Sequence, residues 1–247
     1  MTRRRLRRLL LGVALVIFIA AFGLPGTEGF VHLRPLPRIT VISAVADARV
    51  PDPRLVAIEE AVDFWNRTLA EMGSAFRFGP IREVVGEVSA EDLRALSLFS
   101  RFWSSRPSSE TVRGAWLRQH PRPFVPFEGD LLIVLSPSAD FVSFSSRIGD
   151  RQLVGIRDTH VEPLSVPNVL RNVVAHELGH ALGLPHNADP ATLMCGRPAS
   201  CRPKLFASDT PRFFPLTNAD RDHLSRWYPP TPTPRADVET KGLDVDR

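Results

Sequence analysis

Asn172-Val-Val-Ala-His-Glu-Leu-Gly-His-Ala-Leu-Gly-Leu-Pro-His186 sets three histidines and a glutamate in a spacing that suits a helix followed by a sharp reversal. His176 and His180 are four residues apart, so on a helix their imidazoles share one face, one turn apart. Two metal ligands are thereby aligned before any metal arrives. A catalytic zinc takes three protein ligands and keeps a position for water. His186 can be the third only if the helix ends and the chain doubles back. Gly183 permits that reversal, because a residue without a Cβ adopts positive φ at a helix C-terminus, and Pro185 keeps the helix from resuming. Glu177 follows the first ligand directly and can reach a water at the metal from the side, which makes it the candidate general base. Zinc brings the pKa of such a water to about 7, so hydrolysis at neutral pH is within the site's reach.

His-Glu-x-x-His-x-x-Gly-x-x-His followed by Met194 resembles the metzincin zinc peptidases. The longer string His186-Asn-Ala-Asp-Pro-Ala-Thr-Leu-Met-Cys-Gly196 is similar to the matrixin branch, where a third histidine, Asp-Pro and Leu-Met follow in that order. The resemblance implies a zinc-dependent endopeptidase with one catalytic zinc ion and a peptide or protein substrate. It implies a loop shaped by Asp189-Pro190 and a structural Met-turn at Met194, beneath the metal and ligating nothing; without it, Met194 reads as a core thioether. The substrate strand is expected to add antiparallel to a sheet edge, with the hairpin Phe141–Asp158 as the candidate. Two alternatives stand beside this reading. An archaemetzincin-like exopeptidase is disfavoured because cysteines do not follow His186 in that family's pattern. A zinc-binding but inactive exported module is disfavoured because it has no chemical need of Glu177. The chain also departs from the matrixins: no segment with a metal-blocking cysteine precedes the domain, no constellation for structural zinc or calcium is evident, and no tyrosine closely follows Met194.

Outward from the motif, the chain reads as α+β, a metzincin-like catalytic domain with a mixed twisted sheet. Arg38–Val45 is β-branched and bounded by prolines, a first strand. Pro53–Met72 carries Leu55, Ile58, Val62, Trp65 and Leu69 at helical spacing, predicting a long N-terminal helix stopped by Gly73. Phe76–Val85 reads as a second strand, and Ser89-Ala-Glu-Asp-Leu opens a short helix to about Phe102. Arg101–Phe127 reads as a long surface excursion. Asp130–Ser136 is a buried strand, and Phe141–Ile148 with Gln152–Asp158 flank the hairpin signal Gly149-Asp150. Ser165, with Pro167 just inside, is expected to open the zinc-binding active-site helix. Pro215–Tyr228 reads as an N-capped amphipathic C-terminal helix, which resembles that of matrixin catalytic domains. His32, His120, His160 and His223 read as ordinary core or surface residues.

Of the 247 residues, 43% are hydrophobic and 23% charged, the composition of a folded chain. The net charge of +4 comes entirely from residues 1–30, where five arginines stand against Glu28. A neutral remainder carries no footprint for phosphate, so no nucleic-acid partner is expected. The arginines precede the uncharged run Leu9–Leu24, and both a signal peptide and a membrane anchor through an uncleaved N-terminal segment fit it. In either case the remainder is exported, as a secreted or membrane-tethered protein. Residues 1–30 are therefore expected to be the export segment, 31–228 the catalytic domain, and 229–247 a disordered Pro-rich and charged tail. Cys195 and Cys201 can close a small disulfide loop in an oxidising compartment. Two free thiols are the alternative, and a free Cys195 thiolate near the metal would block its open position.

Overall fold

The computed structural model describes residues 33–43, 52–85, 88–104, 127–148, 150–196 and 210–231. The expected export segment, most of the 101–127 excursion, Gly149, Cys201 and the tail beyond 231 lie outside the described residues. The ordered elements are β1 (Ile39–Ser43), α1 (Pro53–Glu71), β2 (Ile81–Val85), α2 (Ala90–Ser104), β3 (Leu131–Leu135), β4 (Phe144–Ile148), β5 (Arg151–Ile156), α3 (Pro167–Ala181) and α4 (Asn218–Trp227). The fold is α+β, around one five-stranded mixed sheet of order β2-β1-β3-β5-β4.

Four strands run parallel and β4 alone is antiparallel, paired with β5 from Phe144↔Gly155 to Ile148↔Arg151. That register leaves positions 149 and 150 as the turn. β4 lies at the sheet's edge, next to α3.

Helices cover both faces, which is why β1 and β3 are buried at every position and β3 reads as a continuous apolar run. The period of two still sorts the side chains. Val41, Leu131, Ile133, Leu135, Val154 and Ile156 pack with α1 and α3, whereas Ile42, Leu132, Val134 and Leu153 pack with Leu96 of α2 and with Phe127, Phe141 and Phe144.

Helix α1 starts where Asp52 accepts from the Arg54 amide and stops at Gly73, whose φ is +77°. Several boundaries differ from the sequence expectation; among them, β4 begins at Phe144 instead of Phe141, whose amide donates to Ser138 O in a turn. The second strand begins at Ile81 instead of Phe76, because the Phe76 and Phe78 amides are taken by Ser74 Oγ and by Asn66 Oδ1 of α1. Helix α3 is capped at Val166 instead of Ser165, whose hydroxyl donates to the Glu162 carboxylate. At the other end, Pro230 pairs with Ser74 and the Thr231 amide donates to Gly73 O at 2.9 Å. Ordered chain therefore extends past Tyr228.

Candidate metal centre

Helix α3 is held by α1 and by the stretch before α4. Trp65, fully buried in α1, donates its Nε1 hydrogen to Ala175 O at 2.9 Å. Arg171 forms a two-pronged pair with Glu60 of α1, at 2.7 and 3.0 Å. Asn172, buried inside the helix, donates to Asn168 O and Arg212 O and accepts from the Phe214 amide, each at 2.8 Å. Asn168 accepts from the Arg212 amide at 3.1 Å. The stretch before α4 is thus stitched along α3 by two asparagines, neither of which the sequence reading singled out.

On this fixed helix His176 and His180 stand one turn apart. Leu182 closes the helix, and the Gly183 φ of +93° turns the chain back so that His186 faces the other two. The three Nε2 atoms form a small triangle: 3.1 Å between His176 and His180, 3.2 Å between His176 and His186, and 2.9 Å between His180 and His186. Nitrogens at about 2.0–2.1 Å from a tetrahedral zinc lie about 3.3 Å from one another, so the triangle is within a few tenths of an ångström of what the ion needs.

The far ring nitrogens decide the tautomer. His176 Nδ1 lies 2.7 Å from Leu193 O and His180 Nδ1 lies 2.7 Å from Leu184 O. A carbonyl only accepts, so both Nδ1 atoms carry hydrogen and both Nε2 lone pairs face the centre of the triangle. Burial, and then the two neighbouring imidazoles, hold His180 well below the ordinary imidazole range. It is therefore neutral, the form that ligates a metal. His186 is the exposed corner, and the site opens to solvent there.

Glu177 is 7% exposed, and its carboxylate makes no hydrogen bond or ion pair among the described residues. Burial pushes its carboxyl up to about 8. A buried carboxyl without a partner costs stability, and groups perturbed in this way cluster at functional sites.

Met194 is fully buried under α3, so close that a Cβ added to Gly179 would come within 2.6 Å of its Sδ. Asp189 accepts from the Ala191 amide at 2.9 Å inside the loop between His186 and Met194. Cys195 is disulfide-bonded and so offers no thiolate to a metal; Cys201, the other cysteine of the sequence, lies outside the described residues.

A family model described as matrixin matches residues 122–225, a span that includes all three histidines, Glu177 and Met194. Over that span the chain is similar to the matrixins, zinc metallopeptidases of the metzincin kind. Over 61 residues, 25% of its length, this matrixin-like chain is 39% identical to matrix metalloproteinase-A of Caenorhabditis elegans, of which it spans 10%. Among solved structures it is similar to archaemetzincin from Methanopyrus kandleri, with 18% identity, a TM-score of 0.39, and coverage of 77% of this chain and 94% of that one. It is likewise similar to metalloproteinase-II from Bacteroides fragilis, with 17% identity, a TM-score of 0.40, and coverage of 82% of this chain and 55% of that one.

The sequence reading of this matrixin-like site missed Asn187, Asp220 and Gly196. Asn187 follows the third ligand and donates from Nδ2 to Asp220 Oδ2 at 3.1 Å. Its Oδ1 accepts from the Asp189 amide and from the Thr192 hydroxyl. Thr217-x-x-Asp220 is legible as a capping box, but its second task, gripping the ligand loop, spans 33 residues and leaves no local trace.

Proposed function

We propose that this chain is an endopeptidase holding one zinc ion on His176, His180 and His186, with Glu177 as general base. The observation that carries the proposal is the triangle of three Nε2 atoms, none more than 3.2 Å from another, with two of the rings fixed in the ligating tautomer by backbone carbonyls. A bound zinc ion supplies a Lewis acid that acidifies water and polarises a peptide carbonyl. Positive charge beside Glu177 favours its carboxylate form against the effect of burial. That carboxylate takes a proton from the attacking water as the new C–O bond forms, then passes it to the amine nitrogen as the C–N bond breaks. His180, held neutral by burial, keeps its lone pair for ligation throughout.

β4 is the free edge of the sheet on the side of α3, and an extended peptide added there gains main-chain hydrogen bonds with little demand on its sequence. We further place the catalytic domain outside the cytoplasm, delivered or anchored by residues 1–30. The arginines followed by Leu9–Leu24 and the disulfide at Cys195 support that reading. Among the described residues no helix is long and apolar enough to cross a membrane.

The test is hydrolysis of quenched-fluorescent peptides blocked at both ends, by the full chain and by Glu177→Ala at equal zinc content. Internal cleavage by the wild type, with about 10²–10⁴-fold slower turnover in the variant, is expected. Cleavage of free-ended peptides alone would make the chain an exopeptidase. Zinc retained with no cleavage of any peptide would make it a binding module.

A further inference from the structure

Two of the three ligands ride on α3, but the third sits on a loop that has no helix to hold it. A Cβ built on Gly196 would lie 2.1 Å from His186 Cγ, 2.2 Å from Cδ2 and 2.6 Å from Nδ1. The backbone of Gly196 therefore passes close against the imidazole. The Gly196 φ is outside the left-handed region, so any residue could adopt its backbone conformation. The ring of His186 stands where a side chain would go. The two segments are also paired: the Asn187 amide donates to Met194 O at 2.8 Å and the Gly196 amide to Asn187 O at 3.0 Å, around a parallel bridge between Asn187 and Cys195. Cys195, between the two paired residues of that strand, is disulfide-bonded.

We propose that Gly196 is a positioning residue for the third ligand: its bare backbone, held in place by the Cys195 disulfide, is the wall that sets His186 in the triangle and so sets how tightly the site holds its metal. The inference rests on the metal-centre reading above. The distances decide it. Non-bonded carbons pack at about 3.5–4.0 Å, so a methyl group at position 196 must drive the ring more than about 1 Å away. A metal site tolerates about 0.2 Å in its ligand distances. Cys195 and Gly196 thus deepen the role of the Met-turn, which holds Met194 against α3 on one side and His186 in the site on the other.

The experiment titrates the full chain, its Gly196→Ala variant and the double variant Cys195→Ser with Cys201→Ser. Zinc is measured by competition with a chromophoric chelator, and cobalt(II) in its place by visible absorption. Ile39→Val, a core truncation in a strand that carries no ligand, controls for general loss of stability. Gly196→Ala is expected to bind zinc about 10–100-fold more weakly and to alter the cobalt spectrum while folded, with the disulfide-free variant shifted in the same direction. The control should lower only the melting temperature. Wild-type affinity and spectrum in a folded Gly196→Ala would overturn the proposal and leave the metal centre standing. Unchanged binding without the disulfide would remove Cys195 from the mechanism. Absence of zinc binding by the wild type would overturn the metal centre itself. If Gly196→Ala does not fold without metal, the variant folded in excess metal and the double variant carry the same comparison.

Discussion

Asn187 Nδ2 donates to Asp220 Oδ2 at 3.1 Å, and the same carboxylate oxygen accepts from the Thr217 amide at 2.9 Å. One buried carboxylate therefore ends the loop that carries His186 and begins α4. Asp220→Ala removes both bonds and leaves two donors unpaired, so the expected loss is about 2–4 kcal/mol. Thr217→Ala removes the hydroxyl that caps the Asp220 amide, which costs about 1 kcal/mol. Urea denaturation of the two variants checks the difference. Equal losses would mean that the tie to Asn187 contributes nothing.

Asn172 is 1% exposed and uses its amide three times, twice as donor and once as acceptor. Asn172→Leu keeps the volume but takes the partner from the buried Phe214 amide and one hydrogen bond from the carbonyl of Arg212, an exposed residue. Each buried group left unpaired costs about 1–3 kcal/mol. A fall in stability of roughly 1–3 kcal/mol is expected, with proteolysis entering first near residues 210–216. A neutral substitution would show that this segment does not depend on α3.

The legible part of the molecule was the part governed by local rules. The 3.6-residue period of Leu55, Ile58, Val62, Trp65 and Leu69 marks α1, and Gly73 marks its end, because both signals act within a few residues. The ligand set was legible for the same reason: helical spacing, one reversal at Gly183, and a proline that blocks continuation. Strand starts were less so. Phe76 and Phe78 have strand-like side chains, but their amides go to Ser74 and Asn66, a competition that periodicity does not register. What stayed hidden was the support of the site. Asn172, Asp220 and Gly196 act on residues 42, 33 and 10 positions away, and nothing near them in the chain hints at those partners.

The pair Arg171–Glu60 ties α3 to α1 with two bonds, at 2.7 and 3.0 Å, and is partly open to water. Its two-pronged geometry raises it above an ordinary surface pair, and solvent screening lowers it again. A double-mutant cycle with Glu60→Gln and Arg171→Met should return a coupling of about 1 kcal/mol, shrinking in high salt. Zinc affinity should be unchanged in both single variants, since His176 and His180 keep their carbonyl partners. A coupling near zero would leave Trp65 and the apolar contacts as the only ties between the two helices.

Metal removal should act unevenly across the molecule. Binding to the folded state alone stabilises it by about 4 kcal/mol when free metal is a thousandfold above its dissociation constant, so chelation should lower the melting temperature. The local effect is more telling. His176 and His180 are held by α3 and by the carbonyls of Leu193 and Leu184, whereas His186 belongs to a loop whose pairing with the Met-turn rests on two amide bonds, Asn187 to Met194 O and Gly196 to Asn187 O. Without the ion nothing draws the three Nε2 atoms together within 3.2 Å, and His186, on its loop, is the ligand freest to move outward. Hydrogen exchange should therefore speed up at the amides of Asn187 and Gly196 after chelation and stay slow in the middle of α1. Uniform acceleration across α1 and the loop would mean instead that the metal holds the whole domain together, and that the loop has no separate freedom.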